Sequence, residues 1–313
     1  MAIVIKSNVA ANDPLDLLPI YTPYGISKNQ EVVIFADDLG EQGYTLKSNE
    51  FAAFEQFVGK LKEKEVWSKV IEVYPIVGNG IDSAGVKLAS KTVASKMTPV
   101  GDFTVDNLEI DSGIVIGKKM GNSVTGVSRN GGMNTHLKAS ALNKGFGLHV
   151  YTQPVAVIEA EMDASRSLWG ASQIGDASSG TYVSAIAGAS TIVPFRVAYR
   201  GGFTAHTINT QGGGVLQAVA SVNAIGSLST LKTVFNGVSS EPKVEAVVIG
   251  ADLDRDLYLF ARNGYAVNND VYGQYNAAVR FGMLTDGTVS EHDNTIIRSE
   301  ILSLMSKLGR VFV

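Results

Sequence analysis

The chain has 313 residues, 45% of them hydrophobic, enough to close one large core or two modest ones. It contains no cysteine, which excludes disulfides, thiolate metal sites and cysteine nucleophiles together, so stability has to come from packing or association. The formal charge of -4 is carried by residues 1 to 75, with 7 Lys/Arg against 11 Asp/Glu; the remaining 19 of each leave the larger part neutral, without the basic footprint of a nucleic-acid binder.

The first residues, "MAIVIKSNVAANDPLDLLPIY", have a short apolar start but no charged leader before a long apolar run, so neither a signal peptide nor an anchor is expected. No window approaches the ~18 to 20 apolar residues of a membrane helix, and a soluble protein without membrane insertion is expected. Pro14, Pro19 and Pro23 disfavour helix around them, so residues 1–47 read as an extended N-terminal arm for attachment or oligomerisation. Within it, "EVVIFA" looks β-like and is closed by "DDLG".

From Ser48, a candidate cap, the pattern turns helical. Phe51, Phe54, Val58 and Leu61 recur at helical spacing, and Trp67, Val70, Ile71 and Tyr74 prolong the stripe to Pro75, as one helix or two with a break around "KEKE". Residues 48–75 are therefore read as a helical connector, with the Trp67 ring as an apolar plug whose indole N–H meets a backbone carbonyl.

Beyond Pro75 lie 29 of the 33 glycines, and the signal has period two. Candidate strands are 113–117, 146–152, 155–161, 181–187, 192–199, 215–222, 231–235, 243–250 and 256–261, many rich in β-branched and aromatic residues. Asn236-Gly237 and Asn263-Gly264 follow two of them as hairpin signals. Repeated strands without intervening helices predict a mainly β, antiparallel sandwich over 76–313. Only the end returns to helix, 290–308, with Ser290 as cap, Ile297, Ile301, Leu304 and Leu308 on one face, and Gly309 as the stop. The two amphipathic segments, far apart in the chain, are expected to pack together on one flank of the sandwich.

The segment "LKEKEVWSKVIEVYPIVG", Leu61 to Gly78, and the closing pattern of Leu284, Thr285, Leu308, Gly309 and Arg310, preceded by "DLYLFARNG", carry a resemblance. Together they resemble bacteriophage virion proteins, tail-fibre, receptor-binding or decoration components, whose C-terminal part is a concanavalin A-like or laminin-G-like jelly-roll sandwich. The likeness spans roughly residues 57 to 310, and its motifs are structural. It implies a virion protein assembled with other phage proteins, with itself as a homo-oligomer, a trimer by preference, and with a host surface glycan as candidate ligand.

A sandwich lectin stacks sugar on an exposed aromatic beside Asp, Asn or Arg. The glycine- and serine-rich segment "SRSLWGASQIGDASSGTYV" reads as a loop offering Arg166, Trp169, Asp176 and Tyr182 as the ligand-binding set, against the plainer reading of Trp169 as a packed loop residue. The enzymatic alternative is a retaining glycosidase or depolymerase using Glu159 and Glu161, with Asp163 nearby, because carboxylates two apart on a strand share a face and such enzymes need them about 5–5.5 Å apart. A solvated polar strand face outweighs it, so no catalytic residue is assigned.

Asp252, Asp254 and Asp256 alternate like the start of a calcium loop but lack its glycine and closing glutamate, which favours a charged turn. The glycine-rich run at 78–85 lacks the residues of a phosphate loop and reads as a linker. The histidines have no metal spacing, and His149, alternating with Tyr151 on one strand face, suits a surface or sheet-packing role rather than catalysis. No cofactor or metal is called for.

Overall fold

The period-two segments beyond Pro75 form two antiparallel sheets stacked face to face, with helices on the outer face of one of them. This computed structural model describes residues 20–22, 25–27, 29–78, 80–92, 94–101, 108–111, 114–117, 131–152, 165–173, 176–186, 192–209, 213–248, 254–264, 271–272 and 278–312. The predicted strand at 155–161 lies outside them, as does residue 252 of the aspartate run.

In spatial order the first sheet consists of Val238–Ser239, Leu228–Phe235, Gly214–Val222, Gly145–Thr152, Ala278–Asp286, Val70–Tyr74 and Ala89–Ser90. Lys243–Ala246 also pairs with Leu228–Phe235, and the hairpin of Leu108–Asp111 and Ile114–Gly117 joins Ala278–Asp286. The second sheet runs Gly202–Asn209, Ile192–Tyr199, Asp176–Ile186, Ser165–Gln173, Asp256–Leu259, Gly131–Lys138 and Thr98–Gly101. The mainly β sandwich with a C-terminal helix is the architecture that the sequence led us to expect.

Phe146, Leu148 and Val150 point between the sheets and meet Trp169, Val183, Phe195 and Val197 of the second sheet. The alternate Tyr151, together with Val215 and Val219 of the neighbouring strand, faces the helices. The central strand Gly145–Thr152 is therefore buried along its whole length. The helical layer comprises α1 (Gln30–Glu41), α2 (Ser48–Glu63) and α3 (Glu291–Lys307). Leu61 of α2 and Ile297 and Ile301 of α3 share that core with Phe281 and Met283 of the sheet, so the two distant amphipathic segments do pack together.

Three local expectations are corrected. "EVVIFA" is helix, not strand, because Val32, Phe35, Ala36 and Leu39 fall at helical spacing and bury against α2, with Phe35 edge-on to Phe54 at 5.2 Å between ring centroids. The N-terminal arm therefore turns helical from Gln30. Ser48 opens α2 rather than capping it; the Lys47 N–H is taken by the Glu50 carboxylate at 2.9 Å.

The largest difference follows α2. That helix ends at Glu63, within "KEKE", and Glu65 takes a left-handed backbone, φ 59°. A single 3-10 turn, Trp67–Lys69, leads into the buried strand Val70–Tyr74. Helix is lost there because β-branched Val70, Ile71 and Val73 gain a ladder with Ala278–Asp286 and a short one with Ala89–Ser90, and tertiary pairing overrides the helical spacing. Pro75 thus ends a strand. Trp67 is half-buried against the helical core, and its indole N–H donates to the Glu31 carboxylate at 3.2 Å, not to a backbone carbonyl.

The turn after Pro75 requires glycine at Gly78, whose φ is 94° and where a Cβ would meet Ser83 Oγ at 2.2 Å. At the other end, Asp293 N–H donates to Ser290 Oγ and Ser290 N–H to the Asp293 carboxylate, at 3.1 and 2.6 Å, the reciprocal cap expected at Ser290. Gly309 stops the chain's last helix with φ 67°. Arg310 then returns to donate to the carbonyls of Pro75 and Ile76 at 3.3 and 3.0 Å, while Asp293 pairs with Lys69 at 2.7 Å. The two stretches that carry the sequence resemblance are thus clasped together.

Between the sheets lies a charged pair with no exposed side-chain surface, Glu72 and Lys87, 2.7 Å apart. Glu72 also accepts from the Tyr74 hydroxyl, from Ser90 Oγ at 2.9 Å and from Thr92 Oγ1 at 3.3 Å. Lys87 donates onward to the Thr135 carbonyl, and Thr135 Oγ1 to the Leu257 carbonyl at 2.7 Å, so the pair ties the first sheet to the second. Burial pushes the Lys87 ammonium below its ordinary pKa against the pull of Glu72. Burial, then the Glu72 charge, hold the Tyr74 phenol well above its ordinary pKa, so it remains a donor.

On the other face His149 is wholly buried. Its Nδ1 accepts from the Gln217 amide at 3.0 Å, its Nε2 lies 3.2 Å from Thr285 Oγ1, and Gln217 also donates to the Asn294 carbonyl of α3 at 2.8 Å. Burial lowers its pKa to about 3. This is the sheet-packing role anticipated for it.

Two stability predictions follow from these buried groups. Lys87→Met leaves the Glu72 charge unpaired and should cost about 3–5 kcal/mol in urea unfolding, whereas the Glu72→Leu, Lys87→Met double variant should recover part of that loss; a single variant as stable as the parent would contradict the coupling. For His149 the folded pKa lies below the unfolded value of about 6.5, so the unfolded chain takes up the proton first as pH falls. Stability is complete above pH ~6.5 and declines toward pH 3, by about 2 kcal/mol at pH 5. His149→Gln should flatten that slope, and parallel pH profiles for the two proteins would refute the assignment.

Candidate functional site

One end of the sandwich opens into a cleft of about 640 Å³. It lies where the turn Ala139–Ala141 carries the chain from Gly131–Lys138 in the second sheet to Gly145–Thr152 in the first. Both sheets therefore contribute to its walls. Ile71, Leu137 and Ala141 give it apolar surface, Thr92, His136 and Asn143 give neutral polar groups, and Lys91, Lys138 and Lys144 give cations; Asp286 is its one carboxylate among the described residues.

Each wall is held from behind. Thr92 belongs to the buried network, through Glu72 and the Ser90 hydroxyl at 2.7 Å. His136 has a left-handed backbone, φ 59°; its N–H donates to Asn134 Oδ1 at 2.7 Å, and its Nε2 lies 3.0 Å from Thr98 Oγ1, which fixes the ring. Lys138 donates to the Asp254 carboxylate at 2.8 Å and carbonyl at 3.0 Å, and that contact raises its pKa. Asp286 Oδ1 accepts from the Thr288 N–H at 2.9 Å and from its hydroxyl. Gly287 lets this turn press against the neighbouring loop, since a Cβ there would meet the Lys144 carbonyl at 2.2 Å.

The residues proposed from sequence lie elsewhere. "SRSLWGASQIGDASSGTYV" is not a loop; it supplies the paired strands Ser165–Gln173 and Asp176–Ile186. Trp169 sits opposite Val183, 0% exposed, 4.9 Å from Phe146 between ring centroids. Tyr182 is also 0% exposed and carries the Arg262 guanidinium over its ring at 4.2 Å. Neither ring is open to a ligand: Trp169 is enclosed between the sheets, and Tyr182, on the opposite face of its strand, lies under Arg262. Arg166 and Asp176 occupy strand positions opposite Ala185 and Gln173, and their side chains lie outside the described residues. Glu159, Glu161 and Asp163 lie outside them entirely.

Of the alternating aspartates, Asp254 pairs with Lys138 and Asp256 accepts from the Asn134 amide at 2.9 Å. Arg255 between them is buried and donates to the Ser172 carbonyl and to Asn263 Oδ1, at 2.9 and 2.7 Å. Among the described residues no three His, Asp or Glu side chains are placed to hold a metal. Asn263 consequently serves as an acceptor within a two-residue strand instead of the expected hairpin turn, while Asn236-Gly237, with φ 48° and 89°, makes the tight turn between Leu228–Phe235 and Val238–Ser239 as anticipated. The cleft was missed from sequence because its members come from separate segments; "HLKASALNK", 136–144, with four cleft cations or polar groups in nine residues, is the one local signal.

No protein-family model matches the chain, and no curated protein is similar to it in sequence. Among solved structures it is similar to the CBM40 domain of the Ruminococcus gnavus IT-sialidase, at 8% identity and TM-score 0.36 over 51% of this chain and 84% of that one. It is also similar to domain 4 of a GH43 extracellular arabinanase from Geobacillus stearothermophilus in complex with arabinotriose, at 13% identity and TM-score 0.38, over 74% and 98% of the two chains. A legume lectin-like domain from Entamoeba histolytica matches at 12% identity and TM-score 0.35, over 61% and 89%.

Replacing Trp169 by Ala is expected to cost about 3–5 kcal/mol in denaturant unfolding, as for other large core side chains. A variant of parental stability would place the ring at the surface.

Proposed function

We propose that the protein is a structural component of a bacteriophage particle, in a tail fibre, tail or head decoration, displaying its lectin-like sandwich to bind glycan on the host surface. The observation that carries the binding part is the open cleft built by both sheets, whose apolar patch, hydroxyl, amide and ammonium groups suit a polyhydroxylated ligand. The virion part is supported by the two stretches resembling phage proteins, Leu61–Gly78 and Leu284–Arg310, which meet through the Arg310 and Lys69 contacts. The helical layer beside that clasp, formed by α1, α2 and α3, is the side we assign to attachment and self-association.

In this reading the protein binds without turnover. Its sugar site is the end cleft; Trp169 and Tyr182 take no part. Glycan-array binding and a reducing-sugar assay on host polysaccharide, run on the same preparation, are expected to give retention without release. Hydrolysis that disappears in Glu161→Gln would replace this function with a depolymerase, and antibody labelling that leaves intact particles unmarked would remove the virion assignment.

A further inference from the structure

We propose that the saccharide bound in the end cleft is an acidic one, held by ion pairing of its anionic group with Lys91 and Lys144 beside His136; this rests on the reading of the cleft as a glycan site. The first ground is the balance of charge. Lys138 pairs with Asp254 at 2.8 Å, and Asp286, whose Oδ1 accepts from the Thr288 N–H and hydroxyl of its own turn, is the single carboxylate set against the other lysines of the lining among the described residues. Lys144 has no carboxylate partner among the described residues, and Lys91 reaches only the Ser68 carbonyl, at 3.4 Å. Among the described residues, therefore, neither of these two ammonium groups is ion-paired, and the cleft carries more positive charge than the one carboxylate of Asp286 offsets.

The second ground is that this positive charge is local. The chain as a whole is at -4 and its part beyond residue 75 is neutral, so the cluster of lysines at the cleft is a local feature and not part of a general basic excess. That pattern suits a small ligand with one or two anionic groups, whereas a nucleic-acid strand needs a broad basic stripe. The cleft volume also lies within the roughly 300–1,000 Å³ usual for small-molecule sites.

The third ground is what the cleft lacks. Among the described residues the lining holds no Phe, Tyr or Trp, and the one ring, His136, is held by Thr98, so no broad stacking face for a neutral sugar is supplied by them. Ile71 and Leu137 offer a ring only aliphatic contact, and Thr92 and Asn143 offer hydrogen bonds that water also makes. Charge pairing is the strong interaction that remains, and a lysine ammonium serves it as a compact point charge.

The test is calorimetric titration with lactose, 3′-sialyllactose, 3′-sulfated lactose and digalacturonate, at low and high salt. At least one acidic probe should bind about tenfold or more tightly than lactose, with affinity falling as salt rises. The probe that binds identifies the acid as sialic, sulfated or uronic. Lys91→Gln with Lys144→Gln should abolish that preference, and the Lys91→Arg, Lys144→Arg pair should retain it, with thermal unfolding unchanged in both. Lactose binding as well as the acidic probes, or salt-independent binding, would overturn the acidic assignment while leaving a glycan site in place. If neither these probes nor a neutral glycan array binds, the glycan reading itself fails.

Discussion

The fold depends on one buried ion pair. Glu72 and Lys87 lie where two sheets would otherwise present only apolar surface, and removing two charges from water is unfavourable unless every remaining donor and acceptor is used. Here they are used: the Tyr74, Ser90 and Thr92 hydroxyls donate to Glu72, and the Thr135 carbonyl of the facing sheet accepts a hydrogen bond from Lys87. The pair and its hydrogen bonds therefore join the two sheets at one defined position, through Thr135. It also reaches the cleft, since Thr92 belongs at once to this network and to the cleft wall.

The second constraint is that the first sheet is covered on both faces. Phe146, Leu148 and Val150 face the other sheet, while Tyr151 and the His149–Gln217 pair face the helices. A polar pair in that position is tolerable because Thr285 and the α3 backbone complete its hydrogen bonds. The last helix, α3, in turn is pinned at both of its ends, by Lys69 on Asp293 and by Arg310 on the carbonyls after Tyr74. The helices and the sandwich consequently share the central sheet, with one large core on each of its faces.

Much of this was legible in the sequence. The strands around Phe146, Phe195 and Leu216 announced themselves by β-branched and aromatic content, and the Ser290 cap, the Gly309 stop and the Asn236-Gly237 turn by local chemistry that acts within a few residues. Local spacing failed where distant partners decide. Val70–Tyr74 has helical spacing but gains more from its ladder with Ala278–Asp286, and "EVVIFA" looks like a strand until Phe35 meets Phe54. The Ser- and Gly-rich stretch around Trp169 reads as a loop because small residues are common in loops; here they belong to two paired strands, with Trp169 enclosed between the sheets. The cleft escaped entirely, since Lys91, His136 and Asp286 converge only after both sheets are formed.

The claim on which the functional account rests is that sugar is held at the end of the sandwich, between the His136 and Lys144 walls. A crystal structure of the protein grown with saturating 3′-sialyllactose tests it most directly. Sugar density in that cleft, with its carboxylate facing Lys91 or Lys144, is the predicted result. Sugar bound on an outer sheet face with the end cleft empty would contradict the account.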